Sequence, residues 1–156
     1  MPDDLRRIYE AEGRAHFYFD DKVPRDLFRG QTRTEEKQGL PILYPHPGYK
    51  KKDGSERLPD VLVIERDGQQ IVKGCRCTQG DYRGVSTFDQ KSGNLRGARW
   101  YRLPKSTAIP EALAITQDTD RTDRPNHFTI APKDDMPLPL FQVWLNALAR
   151  RMTEDK

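Results

Sequence analysis

Three short stretches hold the side chains best suited to chemistry. "GVSTFD" (84–89) sets Ser86 and Thr87 side by side between a glycine and a phenylalanine. "LFRG" (27–30) follows two large apolar residues with Arg29 and Gly30. "NHFTIAP" (126–132) opens on His127, straight after the polar run "DRTDRPN". An arginine is a permanently charged, fork-shaped donor for a phosphate or carboxylate, and a following glycine lets backbone approach a ligand closely. Strand alternation puts Ser86 and Phe88 on one face and Val85 and Thr87 on the other. One hydroxyl is then free to face a cleft while its neighbour serves the sheet. His127 beside these groups would suit a ribose hydroxyl or a pyrophosphate. Taken singly, each is as readily a surface arginine, a half-exposed strand hydroxyl or a surface imidazole.

Other chemistries find little support. The chain lacks a phosphate-binding G-x-x-x-x-G-K-[ST], a G-x-G-x-x-G, an H-E-x-x-H and a G-x-S-x-G. Cys75 and Cys77 are spaced C-x-C, and His16, His46 and His127 lie far apart, so no zinc set forms. Two cysteines without a disulfide framework fit a reducing, cytoplasmic compartment. Lys and Arg number 27 against 24 Asp and Glu, a net charge of +3. The two signs interleave, and no aromatic-basic stripe is present, which suits a small anionic ligand better than nucleic acid. The charged N-terminus has no apolar core of a signal peptide, and no apolar run is long enough for a membrane span.

The elements that must position these residues follow from pattern. With 156 residues, of which only 35% are hydrophobic, one domain (1–156) with a thin core is expected. Residues 2–12 read as an amphipathic helix, with Pro2, Asp3 and Asp4 in its first turn. Strands are expected at 15–19 and 26–30. Residues 31–59 are polar and proline-rich, hence a long loop: either a flap over a site or a solvated insertion. "DVLVIERDGQQIVKG" (60–74) is a hairpin turning at Asp67-Gly68. "VSTFD" and "ARWYRL" read as a second hairpin around "QKSGN". Strands at 113–118 and 127–131 follow. In "PLPLFQVWLNALARRM", Phe141, Trp144, Leu145 and Leu148 form one apolar helix face, with Pro139 in the first turn and Arg150 and Arg151 in the last. About seven strands with a helix at each end make an α+β fold around a mainly antiparallel sheet.

In this order the segments resemble the type VI secretion exported toxin family with an ADP-ribosyltransferase-like fold. The resemblance covers about residues 26–151 and is densest from "GVSTFD" onward. It takes in "LFRG", "PDVLV", Ile109-Pro110, Gln117-Asp118, "HFTIAP" and the closing helix up to Arg150-Arg151. It implies a split, mainly antiparallel core with a nicotinamide cleft between two half-sheets. It further implies NAD as substrate and a toxin made in the producer's cytoplasm, carried by a secretion-system component into the target cell's cytoplasm. A cognate immunity protein would restrain it. The family's hydroxyl pair falls on Val85 and Ser86 and its histidine on His127, so the first hydroxyl position is a valine here. Arg29, Ser86 and His127 are thereby expected to be catalytic. Arg29, Gly30, Ser86, Gln117, Asp118 and His127 are expected at the nucleotide, with Phe88, Tyr101 or Tyr18 stacking on its ring. The glutamate of such transferases has no counterpart; Gln117 or Asp118 would occupy its region, which leaves transfer and NAD hydrolysis both open. A ribonuclease-type toxin and a non-enzymatic interaction domain are the rival readings.

Overall fold

The computed structural model describes residues 17–74, 84–91, 98–119, 122 and 125–155. The expected helix over 2–12, Cys75, Cys77 and most of the "QKSGN" turn lie outside these residues. Every strand pairing among the described residues is antiparallel. The main sheet has seven strands: β1 (Phe17–Phe19), β2 (Leu27–Gln31), β7 (Val85–Phe88), β8 (Arg99–Leu103), β9 (Leu113–Gln117), β10 (His127–Pro132) and β12 (Thr153–Glu154). Their spatial order is β1-β9-β10-β7-β2-β8-β12.

The sheet is nearly two. β10 meets β7 over four residue pairs and β2 meets β8 over five, whereas β2 meets β7 at Phe28 and Phe88 alone. One half-sheet therefore ends at β7, the other begins at β2, and the strands diverge beyond that contact. This also overturns the second hairpin. β7 and β8 are not partners, because β2 lies between them. The error is one of range: a short turn between two strand-like runs signals local pairing, but β2 offers "LFRGQ" a full register with β8 that hairpin pairing would forfeit.

A second sheet joins β5 (Val63–Arg66), β6 (Gln69–Val72) and β11 (Met136–Pro137). Its hairpin turns at Asp67 and Gly68, both at positive φ (52° and 78°), which is the backbone an Asp-Gly turn is suited to adopt. Residues 31–59 are not a plain loop. They hold helix α1 (Arg33–Lys37) and a small ladder of β3 (Tyr49–Lys50) with β4 (Glu56–Arg57). Thr32 and Glu35 cap α1 reciprocally, side chain to backbone in both directions.

Helix α2 (Leu138–Ala149) starts with Pro139 in its first turn, as its sequence predicts. It buries Phe141, Leu145 and Leu148, while Trp144 is only partly covered. These side chains meet Leu27, Val85, Leu103, Ile115, Phe128 and Ile130 in one core. Arg150 caps the helix, and Arg151 lies beyond it, leading to β12, an edge strand that the sequence does not announce. Gly84 stands at the entrance to β7 with φ of 146°; a Cβ there would lie 2.5 Å from the carbonyl oxygen of Ile130. A side chain at that point would push β7 off β10 and displace Ser86.

Candidate active site

β7 and β10 place two of the expected residues together. Register pairs His127 with Phe88 and Thr129 with Ser86, so all four side chains share one face. Across that diagonal His127 Nε2 lies 2.9 Å from Ser86 Oγ. The Phe88 ring stands beside the imidazole, centroids 5.2 Å apart. Thr87 points the other way, fully buried, and donates to the Phe128 carbonyl at 3.1 Å. The two hydroxyls thus divide as alternation requires: one serves the open face and one the sheet.

The imidazole is held from both sides. Asp118, just past β9, puts Oδ2 3.0 Å from His127 Nδ1. The backbone N–H of Asp118 donates to the His127 carbonyl at 2.8 Å, and the His127 N–H donates to Thr119 Oγ1 at 2.9 Å. Asp89 adds a clamp one residue upstream, where its Oδ1 accepts the Asn126 N–H at 2.7 Å. Gln117 does not join the site. It is 2% exposed, and its amide donates to the Thr119 carbonyl.

Arg29 comes to Ser86 differently. With Phe28 opposite Phe88, alternation places Phe28 and Gly30 on the Ser86 face and Arg29 on the other. The guanidinium enters the divergence between the half-sheets instead. Nη1 donates to the Ser86 carbonyl at 2.8 Å, and Nε donates to the Ile42 carbonyl at 3.2 Å. Arg29 is therefore a strap between β2, β7 and the 31–59 segment, with donors left over toward the space beyond. Two of the three expected stacking rings are withdrawn. Tyr18 is 1% exposed, and Tyr101 packs against the core on the Arg29 face, leaving Phe88.

That space is an open cleft of about 1120 Å³, walled by Arg29, Gly30, the 31–59 segment and the first turns of α2. Ligand pockets run to roughly 300–1,000 Å³, so this open cleft is slightly larger than that range. Its polar lining includes Glu35, Tyr44, His46 and Arg57 besides Arg29. The Tyr44 hydroxyl donates to Glu35 in a short bond, and its ring lies under the Arg29 guanidinium, 5.6 Å from centroid to carbon. Burial and the bond to Glu35 push the Tyr44 hydroxyl up to about 12. Burial also pushes the Glu35 carboxyl up, but hydrogen bonds from Tyr44 and Thr32 and the Arg29 charge outweigh it, and the net direction is down. His46 is lowered by burial and then by the Arg57 charge. Sequence reasoning missed these groups, although Thr32-x-x-Glu35 is a legible capping box and Ile42-Leu43-Tyr44 an apolar run inside the polar stretch. Among the described residues no group of three or more metal-ligating side chains forms.

A family model described as the Tse2 ADP-ribosyltransferase toxin matches residues 4–156. The chain belongs to that family. "Toxin Tse2" of Pseudomonas aeruginosa is 30% identical over 132 residues, which cover 83% of this chain and 76% of that protein. The family match extends the expected resemblance toward the N-terminus. The chain is accordingly a bacterial ADP-ribosyltransferase-type toxin with the α+β, split antiparallel core that its sequence implies.

Proposed function

We propose that this toxin takes NAD as its substrate and cleaves the nicotinamide–ribose bond at the divergence between β7 and β2. The observation that carries the reading is the Ser86–His127 pair, 2.9 Å apart, at the edge of that opening. Breaking the C1′–N bond sends nicotinamide off with the bonding electron pair and leaves positive charge on the ribose ring. Water or an acceptor hydroxyl then forms the new C1′–O bond and gives its proton to solvent. Hydrogen bonds to a ribose hydroxyl strengthen as that charge builds, which is the work given to Ser86 with His127 behind it.

Gly30 supports the same placement. It stands on the Ser86 face and also lines the cleft, and it puts no side chain between the two. The remaining Arg29 donors face the cleft as a fork for pyrophosphate. Phe88 offers the ring for nicotinamide. The carrier and partners follow the family reading: a secretion-system component delivers the chain from the producer's cytoplasm to the target cell's cytoplasm, and a cognate immunity protein neutralises it. One domain over 1–156 does this. No helix among the described residues is long and apolar enough to cross a membrane.

The test is growth arrest combined with nicotinamide release. Wild-type chain expressed in bacterial cytoplasm should stop growth, and the purified chain should free nicotinamide from NAD. Ser86→Ala and His127→Ala should do neither while remaining folded. Arrest by wild type with no NAD consumed, and binding that weakens steeply with salt, would support nuclease chemistry instead.

A further inference from the structure

Asp118 was expected at the nucleotide, but its surroundings point elsewhere. Only 9% of its side chain is exposed. Oδ1 accepts from Thr116 Oγ1 at 3.2 Å. Oδ2 is fully buried and has no aligned hydrogen-bond donor among the described residues; His127 Nδ1 lies 3.0 Å away, at ion-pair distance but off the line of an N–H···O bond. A buried carboxylate oxygen with no donor is strongly unfavourable. Of the atoms beside it Nδ1 is the one that can supply a donor after a small tilt of the ring, so the proton belongs on Nδ1. A neutral imidazole has one N–H and one bare nitrogen, so Nε2 is the acceptor, and Ser86 Oγ–H donates to it across 2.9 Å.

This ordering gives Ser86 a polarity. Its own proton is committed to His127, so its lone pairs face outward to receive a hydroxyl. The chain runs from the Asp118 carboxylate through Nδ1–H, Nε2 and Oγ–H to a ribose hydroxyl, with every donor pointing back toward the charge. Such chains polarise cooperatively and bring negative character to the end where positive charge develops on the sugar. The opposite tautomer would make Ser86 a donor and reverse that effect.

We propose that Asp118 is a positioning residue: it holds His127 in the Nδ1–H tautomer and so makes Ser86 Oγ an acceptor for a ribose hydroxyl, without touching NAD itself. The proposal rests on the reading that the Ser86–His127 pair works on NAD. It assigns Asp118 to the transition state rather than to nucleotide binding.

The test joins nitrogen-15 imidazole spectra of the purified chain, with His127→Ala to assign the signal, to NAD kinetics. Wild-type His127 should show Nδ1 protonated and Nε2 bare at neutral charge. Asp118→Asn, whose amide can face Nδ1 as a donor, should shift it toward the Nε2–H form. It should lower kcat on the order of 10- to 100-fold while KM for NAD stays within about threefold, with melting little changed. Wild-type His127 protonated on Nε2 overturns the proposal whatever the variants do. So does an Asp118→Asn enzyme with unchanged kcat, or one whose loss lies in KM alone. If Ser86→Ala frees nicotinamide at the wild-type rate, the active-site reading itself fails. If Ser86→Ala is inactive and Asp118→Asn is not, only the role of Asp118 falls.

Discussion

Two regions face the opening between the half-sheets, and they are held by different means. In the Ser86–His127–Asp118 chain, ladder register fixes Ser86 on β7 and His127 on β10, and Asp118 follows directly on β9, tied by its N–H to the His127 carbonyl. The cleft wall, which none of those three residues lines, is the 31–59 segment, held by side chains reaching to backbone and to one another: Arg29 to Ile42, Gln31 to Leu40, Tyr44 to Glu35, and Gln142 of α2 to Leu43. The first region gains geometric precision from a rigid scaffold. The second depends on charge and on a few polar contacts. Site chemistry should therefore be lost by small changes in the first region without loss of fold, whereas the second should respond to pH and to single hydrogen bonds.

The largest effect expected is on activity. Ser86→Ala or His127→Ala should reduce NAD consumption on the order of 100-fold or more, with melting shifted by only about 2 °C or less in Ser86→Ala and by several degrees in His127→Ala, which strips the buried Asp118 carboxylate of its nearest donor. A large melting shift in Ser86→Ala would erase the contrast, since the strand site would then be structural. Next comes the core beneath both regions. Leu145→Ala should cost about 2–5 kcal/mol in denaturant unfolding, and Trp144→Ala clearly less, because Trp144 is only partly buried. Equal losses would mean that α2 seats itself by a different face.

Tyr44→Phe removes a donor from Glu35 and should cost about 1–2 kcal/mol, somewhat below a fully buried charged hydrogen bond. Thr87→Val loses one buried hydrogen bond and should cost about 1 kcal/mol while NAD consumption stays near wild type. Loss of activity with retained stability in Thr87→Val would mean that the hydroxyls do not divide their roles.

The pH response sharpens the comparison further. The Glu35 carboxyl is held below its ordinary value of 4.5, so as pH falls the unfolded chain takes up its proton first. The stability it contributes is present above 4.5 and is lost as pH falls toward the lower folded value. His46, also lowered, adds an earlier loss that begins as pH falls below 6.5. Melting curves of wild type and Glu35→Gln should converge in acid. Parallel curves at every pH would show that Glu35 is not the titrating group.

The strand side was largely legible because period-two alternation is a local property. It separated Ser86 from Thr87, and the spacing of β7, β9 and β10 followed from short apolar runs. Sheet order was not legible. Nothing near residues 85–103 says that β2, more than fifty residues upstream, will lie between β7 and β8. The 31–59 segment was misjudged because proline and charge mask its capping box and its buried Leu43. Arg29 stood out by its residue type, but alternation alone would have sent it to the other face; only the break in the sheet lets its guanidinium reach the Ser86 carbonyl. Asp118 was picked for a nucleotide contact, and only the structure shows its carboxylate turned to His127.

The most direct measurement is nicotinamide released from NAD by the purified chain, comparing wild type with Ser86→Ala and His127→Ala, each shown to be folded by its melting curve. The account predicts steady release by wild type and on the order of 100-fold less from either variant. A folded wild type that arrests growth yet frees no nicotinamide, or variants that free it at the wild-type rate, would contradict an NAD site built on Ser86 and His127.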